Sequence, residues 1–410
     1  MSQMREPLIP FEQAIDRVLA EVQPLPARSV PLREAAGCFC AQSVVAPEPV
    51  PAFSISAMDG YAIPRAILDR IQQAGRAEAR VVGEVAAGRP GFEEPPGPDE
   101  AIRIFTGGVV PSWAAAVVMQ ENAHRDGDRV TLQGPVKERA YIRDAGSDIR
   151  RGDEVLAAGT LITPPVLGVL ASLGVGQVLA RPRPRVGIVI TGSELVSNAE
   201  PAHGKIRDSN GPTLEAAALC CGAGSVRRTV VPDDPQSVRA AVASLLDDVD
   251  LLITSGGVSV GDYDLMRDLL EAIGFERILW RVAQRPGKPL YAAKREGLLV
   301  LGLPGNPASA LATFLCHGWP VLRRLQGASQ ERVRLSAVVA AAVRKAPGFT
   351  AMLRARRFQR GATLCVESAG PQESHQMLPF ARADCLILGP PDREVLDPGL
   401  EVQVVPFPWV

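Results

Sequence analysis

The 410-residue chain is poor in histidine and cysteine, with only His124, His203, His317 and His375 and seven cysteines. It contains no Cys-x-x-Cys, no His-x-x-x-His and no Cys/His cluster, which excludes a closed zinc or iron–sulfur cage. A metal, if used, must be held by carboxylates. None of the histidines falls in the strand-end loops, so a nucleophile–base pair for covalent hydrolysis is disfavoured. An excess of one charge is also lacking: 44 basic side chains face 45 acidic ones. That balance excludes a chain-wide electrostatic grip on nucleic acid or anionic lipid. The N-terminal MSQMREPLIPFEQAIDRV has no apolar signal core. Residues 297–322 lack Asp, Glu, Lys and Arg, and at ~20 residues such a run is long enough to span a bilayer. Pro304-Gly305-Asn306-Pro307 would break that span and strand polar backbone in lipid. The expectation is a soluble, cytoplasmic protein with no membrane or nucleic-acid partner. The cysteines, odd in number and mostly in apolar surroundings, read as free thiols in a reducing compartment. No internal repeat or low-complexity segment is present.

What the chain does have is 38 Gly and 36 Pro, a share that favours many turns over long bundles. Phe11, Ile15, Val18 and Leu19 predict an amphipathic helix over 7–20, and a short helix follows Val30-Pro-Leu. APEPVPAF, 46–53, reads as a linker. Between 54 and 140, short β-like runs alternate with turns such as EEPPGPDE, which suits a small β-rich domain. Pro164–Leu179 reads as an apolar helix, and ARPRPR, 180–185, as a boundary.

From 185 to about 326 the pattern is α/β. Runs apolar on both faces end in Thr191-Gly-Ser-Glu194, Ser255-Gly-Gly257 and Gly302-Leu-Pro304-Gly-Asn-Pro307, as parallel-sheet strands do. Helices are predicted at 212–221, 235–246, 263–273 and 307–317, with Asp208, Ser209 or Asn210 capping the first and Asp233 or Asp234 the second. Polar side chains therefore gather at the carboxyl edge of the sheet, where open α/β sheets bind ligands. From 331 onward, period-2 runs predict a small all-β tail.

The strongest local signal is Ser255-Gly256-Gly257-Val-Ser259-Val-Gly-Asp262-Tyr-Asp264. Its glycines admit a phosphate to backbone N–H groups, and its two aspartates suit Mg2+, a hard cation that takes oxygen ligands. The same residues fit an ordinary strand–helix turn capped by Asp262 equally well. Arg285-Pro-Gly-Lys288-Pro is no Walker loop, because Pro289 stands where a Ser or Thr would bind magnesium. It still sets two cations on a rigid turn, either as an oxyanion grip or as a solvated loop. Ser56-Ala-Met-Asp59-Gly-Tyr61-Ala and Ile142-Arg143-Asp-Ala-Gly-Ser-Asp148 read locally as polar turns.

Eight motifs occur in order: Ser56-Ala-Met-Asp-Gly-Tyr-Ala, Thr106-Gly-Gly, Gly146-Ser-Asp148, Thr191-Gly-Ser-Glu-Leu, Asp208-Ser-Asn, Ser255-Gly-Gly-Val-Ser-Val-Gly-Asp, Pro286-Gly-Lys-Pro and Leu303-Pro-Gly-Asn-Pro. In these the chain resembles the molybdopterin molybdenumtransferases, the MoeA and gephyrin E-domain family, over essentially its whole length. The resemblance implies a multi-domain α/β and β fold. A discontinuous helical and extended linking domain, 1–53 and 141–180, would carry a β-rich insertion at 54–140. An open α/β molybdopterin-binding domain would span 181–326, and a β-barrel-like domain 327–410. An elongated homodimer is implied, with the cleft shared between subunits. Transient contact with an adenylyltransferase and with molybdoenzyme-maturation proteins is also implied.

The implied reaction is magnesium-dependent: adenylylated molybdopterin and molybdate give molybdenum cofactor, and AMP leaves. By matching position, Asp59, Thr106, Asp148, Glu194, Asp264 and Asp233 or Asp234 would be catalytic, with Asp234 preferred. Asp262 and Asp264 would hold Mg2+. Asp208, Ser255, Gly256, Gly257, Ser259, Pro304 and Pro307 would bind the pterin substrate. Arg143 matches a further binding position, and Arg285, Lys288, Arg354 and Ser374 would serve the oxyanion. Arg285 stands where the family commonly has Lys, and Glu373 where it commonly has Gly. Two other readings stand beside this one: a non-catalytic gephyrin-type scaffold, disfavoured because every acidic motif residue is present, and the adenylyltransferase, which would not need residues 1–180 or the tail.

Overall fold

Helix Phe11–Ala20 buries Phe11, Ala14, Ile15 and Val18 along one stripe, as the apolar spacing predicts. The computed structural model describes residues 7–196, 203–256 and 265–410. The stripe enters the same core as the strands of the central α/β sheet. Glu12 pairs with Arg332 and Arg334, and Glu21 with Lys294.

The chain between this helix and the central sheet forms two β-rich parts. Arg28–Pro31 and Phe39–Cys40 flank Gln177–Arg181 in one small sheet, and Val44–Val45 pairs with Glu154–Leu156. The helix expected over 164–179 stops at Ser172, because Gly174 takes φ +70°, and the chain re-emerges as strand Gln177–Arg181. Between these halves lies a six-stranded sheet from Gly60–Ile63 to Arg129–Gln133, its face covered by helix Arg65–Ala74 through Ile67, Leu68 and Ile71.

The central sheet has the order Ser225–Val231, Arg185–Thr191, Leu251–Ser255, Leu298–Leu303, Tyr291–Arg295, Glu276–Trp280. The first four strands are parallel, Tyr291–Arg295 runs against them, and Glu276–Trp280 runs against Tyr291–Arg295 in turn. Ser255 lies opposite both Ile190 and Leu303, so the three strand-end loops leave the sheet side by side. Helices Asn210–Cys220 and Pro307–Thr313 cover one face, and Pro235–Ala243 and Leu265–Ala272 the other.

Three strands of the central sheet, Ser225–Val231, Glu276–Trp280 and Tyr291–Arg295, escaped the sequence reading. Ser225–Val231 is an edge strand with exposed Arg227 side chain, so its pattern is not continuously apolar. The hairpin joining Tyr291–Arg295 to Leu298–Leu303 turns at Glu296 and Gly297, both at positive φ. Glu is a poor residue there, so the usual Asn-Gly or Asp-Gly signal is missing.

In the tail, Leu335–Val339, Thr363–Ser368, Thr350–Arg360, Cys385–Gly389 and Glu401–Pro406 pair in a closed circuit, a five-stranded barrel. Gln284–Arg285, from the α/β part, adds a parallel strand to Thr350–Ala351. Among the described residues no helix is long and apolar enough to cross a membrane.

Candidate functional site

Two adjoining cavities open at the carboxyl edge of the central sheet. The first, about 630 Å³, is the more acidic: Glu194, Asp208 and Asp233 line it against one arginine, Arg207, together with His375, Ser255, Gly256 and the Pro304–Pro307 turn. The second, about 530 Å³, lies between the α/β part and the barrel and is basic, lined by Arg285, Lys288, Arg344 and Lys345. Pro289, Pro304 and Asn306 belong to both walls.

The acidic cavity is held open by a buried polar brace. Asn210 donates from Nδ2 to Ser255 Oγ at 3.0 Å and to the Gly305 carbonyl at 2.7 Å. Ser255, with no exposure, donates its hydroxyl to the Pro304 carbonyl at 3.0 Å. Both carbonyls can only accept, so the direction of every bond is fixed. The Ser255 hydroxyl proton is thereby engaged within the protein, and it joins two strand-end loops. Gly256, at φ +91°, passes so close to its neighbour that a Cβ would lie 2.1 Å from the Thr191 carbonyl oxygen.

Asp233 and Asp234 divide two jobs. Asp233 lines the cavity; its Oδ2 accepts the Ser193 N–H at 3.0 Å, while its own N–H donates to Ser193 Oγ at 3.1 Å. Asp234 caps helix Pro235–Ala243 by accepting from Ser237 N–H and Oγ, both at 2.8 Å. The Ser237 backbone N–H, then its hydroxyl, hold that carboxyl below the ordinary aspartate value. Asp208, with its side chain 3% exposed, accepts Gly211 N–H at 2.9 Å and Arg228 Nη1 at 3.1 Å. It is therefore a neutralised clasp at the start of helix Asn210–Cys220.

In the basic cavity, Ser374 accepts from Asn306 Nδ2 at 3.1 Å, tying the tail loop to the Pro304–Pro307 turn. Lys345 donates to the carbonyls of Ala346 and Phe349, and burial lowers its pKa. Lys288 Nζ stands 6.0 Å from the Phe349 ring centre. Arg354 lines neither cavity. It is 1% exposed, donates from Nη2 to the carbonyls of Pro371 and Glu373, and so shapes the loop that ends at Ser374. Burial brings its pKa down to about 10, which leaves it charged at neutral pH.

Asp59, Thr106, Arg143 and Asp148 line neither cavity of their own chain. Asp59 Oδ1 accepts the backbone N–H and the hydroxyl of Thr106, both at 2.8 Å. Those bonds, the backbone one foremost, lower the Asp59 pKa. Ile142–Arg143 pairs with Ile55–Ser56, and Asp148 N–H donates to the Val50 carbonyl at 3.1 Å, so the four share one region. Gly257, Ser259, Asp262 and Asp264 lie outside the described residues, among which no three His, Cys, Asp or Glu gather around a metal position.

The sequence reading missed Arg344, Lys345 and Asn210 as site residues. The Arg344-Lys345 pair before a Pro-Gly turn was visible, but its approach to Lys288 depends on the strand pairing at Thr350–Ala351.

The chain matches three family models: the MoeA N-terminal region (domains I and II) over residues 9–174, the probable molybdopterin binding domain over 187–324 and the MoeA C-terminal region (domain IV) over 336–407. It is 35% identical to a molybdopterin molybdenumtransferase of Haemophilus influenzae, over 98% of this chain and 99% of the relative. It is 31% identical to one of Staphylococcus aureus, over 97% of this chain and 95% of the relative. A molybdopterin biosynthesis MoeA structure from Pyrococcus horikoshii superposes with a TM-score of 0.79 at 25% identity, covering 98% of this chain and 100% of the other.

Proposed function

The chain belongs to the MoeA family of molybdopterin molybdenumtransferases, and from that premise we propose that it joins molybdate to adenylylated molybdopterin with release of AMP. It is an enzyme of molybdenum-cofactor biosynthesis. The observation that carries the finer reading is the pairing of an acidic and a basic cavity through a shared wall of Pro289, Pro304 and Asn306. A pyrophosphate with its cation suits the first, and a tetrahedral oxyanion suits the second.

The acidic wall offers oxygen donors and no thiol, a set that fits Mg2+. Glu194 and Asp233, with Asp262 and Asp264, would hold it. When bound, Mg2+ draws charge from a pyrophosphate. The chain's own residues do the positioning. The Asn210–Ser255 brace keeps the Pro304–Pro307 turn and the strand end at fixed separation, and Gly256 lets that strand end lie against the Thr191 carbonyl. Arg285 and Lys288 attract the oxyanion, and Ser374 borders it from the tail.

Asp59, Thr106, Arg143 and Asp148 would complete the acidic cavity of a second subunit in a cytoplasmic homodimer. Exposed Phe53, Met58 and Tyr141 beside them favour such a contact. Incubation with adenylylated molybdopterin, Mg2+ and molybdate should yield AMP. Intact pterin binding without AMP, in enzyme shown to be dimeric, would overturn the reading.

A further inference from the structure

The Arg285-Pro286-Gly287-Lys288 turn enters the basic cavity beside the ladder positions Gln284–Thr350 and Arg285–Ala351. Its inner side rests on buried polar groups. The Gln284 amide, with no exposure, donates from Nε2 to the Gly287 carbonyl at 2.7 Å. That oxygen only accepts, so Oε1 must point the other way, where His317 Nε2 lies at 2.7 Å. The ring therefore carries its hydrogen on Nε2 and donates it to Gln284. Nδ1 is left unprotonated, buried and without a partner among the described residues.

His317 is 1% exposed, and burial, reinforced by Arg334 and Arg332, holds its pKa at about 3. It stays neutral and exchanges no proton with a substrate. It sits in the π-helical turn Phe314–Gly318, a widening of the helical run that brings the ring toward Gln284. Its other side meets Phe11 edge-on, with ring centres 5.4 Å apart. The turn itself packs tightly: Gly287 takes φ +89°, and a Cβ there would lie 2.2 Å from Thr313 Oγ1. An apolar pair of equal volume would fill this space without the desolvation cost of an amide and an imidazole. What the polar pair adds is a grip on the Gly287 carbonyl.

We infer that Gln284 and His317 are positioning residues for the oxyanion: acting through Gly287, they hold Lys288 where it converges with Arg285 and Ser374 on one anion. The inference rests on the proposed binding of molybdate in the basic cavity.

The test is steady-state AMP release by the full-length protein, with the two substrates varied separately. His317→Phe keeps the ring packing but leaves Gln284 Oε1 unpaired. It should raise the molybdate KM about tenfold, as expected for one lost buried hydrogen bond. The KM for the adenylylated pterin should stay within about twofold. His317→Gln, which can again donate from an amide, should recover most of the loss. Parallel rises in both KM values, or an unchanged molybdate KM, would overturn the positioning role. Lys288→Ala separates the two levels. If it weakens molybdate and His317→Phe does not, only the positioning role fails; if it too is silent, the cavity assignment fails and the inference with it. Should His317→Phe not fold, Gln284→Met makes the same test. Nitrogen NMR of the unaltered protein provides a further check, with Nε2 protonated throughout about pH 5 to 8. The opposite tautomer would overturn the inference.

Discussion

Asn210 donates to Ser255, and Ser255 in turn donates to Pro304, so one amide and one hydroxyl lock two strand-end loops in a single direction. A hydroxyl that served a phosphate would have to abandon this bond. Ser255→Ala should therefore lower stability by about 1–3 kcal/mol, the usual result of leaving buried partners unmet. Denaturant unfolding measures the loss. Unchanged stability with a raised KM for the pterin would instead mark Ser255 as a ligand.

Gly256→Ala forces a side chain into space held by backbone. Its Cβ would sit 2.1 Å from the Thr191 carbonyl oxygen at a φ of +91°. The strand end must shift, and soluble yield and thermal midpoint should both fall. A well-folded Gly256→Ala protein with full AMP release would show that this edge is pliable.

Lys288→Ala should raise the molybdate KM more than tenfold while changing the pterin KM little, since the lysine lines the basic cavity and not the acidic one. Raising ionic strength should narrow the difference between the variant and the parent enzyme, because an exposed cation is screened.

The Asp59–Thr106 contact links stability to acid. The Asp59 pKa is lowered from an ordinary value of 3.8, so its contribution is present above that value and is lost as pH falls through the lower folded one. Thr106→Val removes the hydroxyl donor and keeps the backbone N–H. Unfolding curves of the two proteins should therefore converge as the pH drops below about 4. Parallel curves throughout that range would refute the linkage.

The N-terminal helix is held by its apolar stripe more than by its ion pairs. Phe11 is 3% exposed, and Phe11→Ala should cost ~3–5 kcal/mol. Glu12→Ala removes pairs to Arg332 and Arg334, yet half of its side chain faces solvent, so the cost should be ~0–1 kcal/mol. Chemical denaturation of both variants decides the order.

The strand-end loops of the central sheet were legible because each couples an apolar run to a glycine-bearing turn, and the helix over Phe11–Ala20 because its stripe is regular. The tail was legible as β-rich, but its closure into a barrel rests on pairings between Thr350–Arg360 and Cys385–Gly389 that no local pattern encodes. The division of labour between Asp233 and Asp234 was equally hidden. Adjacent carboxylates look alike in sequence, and only the helix start at Pro235 turns one of them into a cap. Arg354 was named for the oxyanion through the family resemblance; the burial that turns it toward the carbonyls of Pro371 and Glu373 is a property of the closed barrel.

The strand Gln284–Arg285 is covalently part of the α/β domain yet is hydrogen-bonded into the barrel, with Thr350 N–H donating to the Ala283 carbonyl at 3.0 Å. Swinging the barrel outward would break those bonds, so opening the basic cavity carries their loss. For the oxyanion proposed there, selection would lie in the spacing of Arg285, Lys288, Arg344 and Lys345 around the rim.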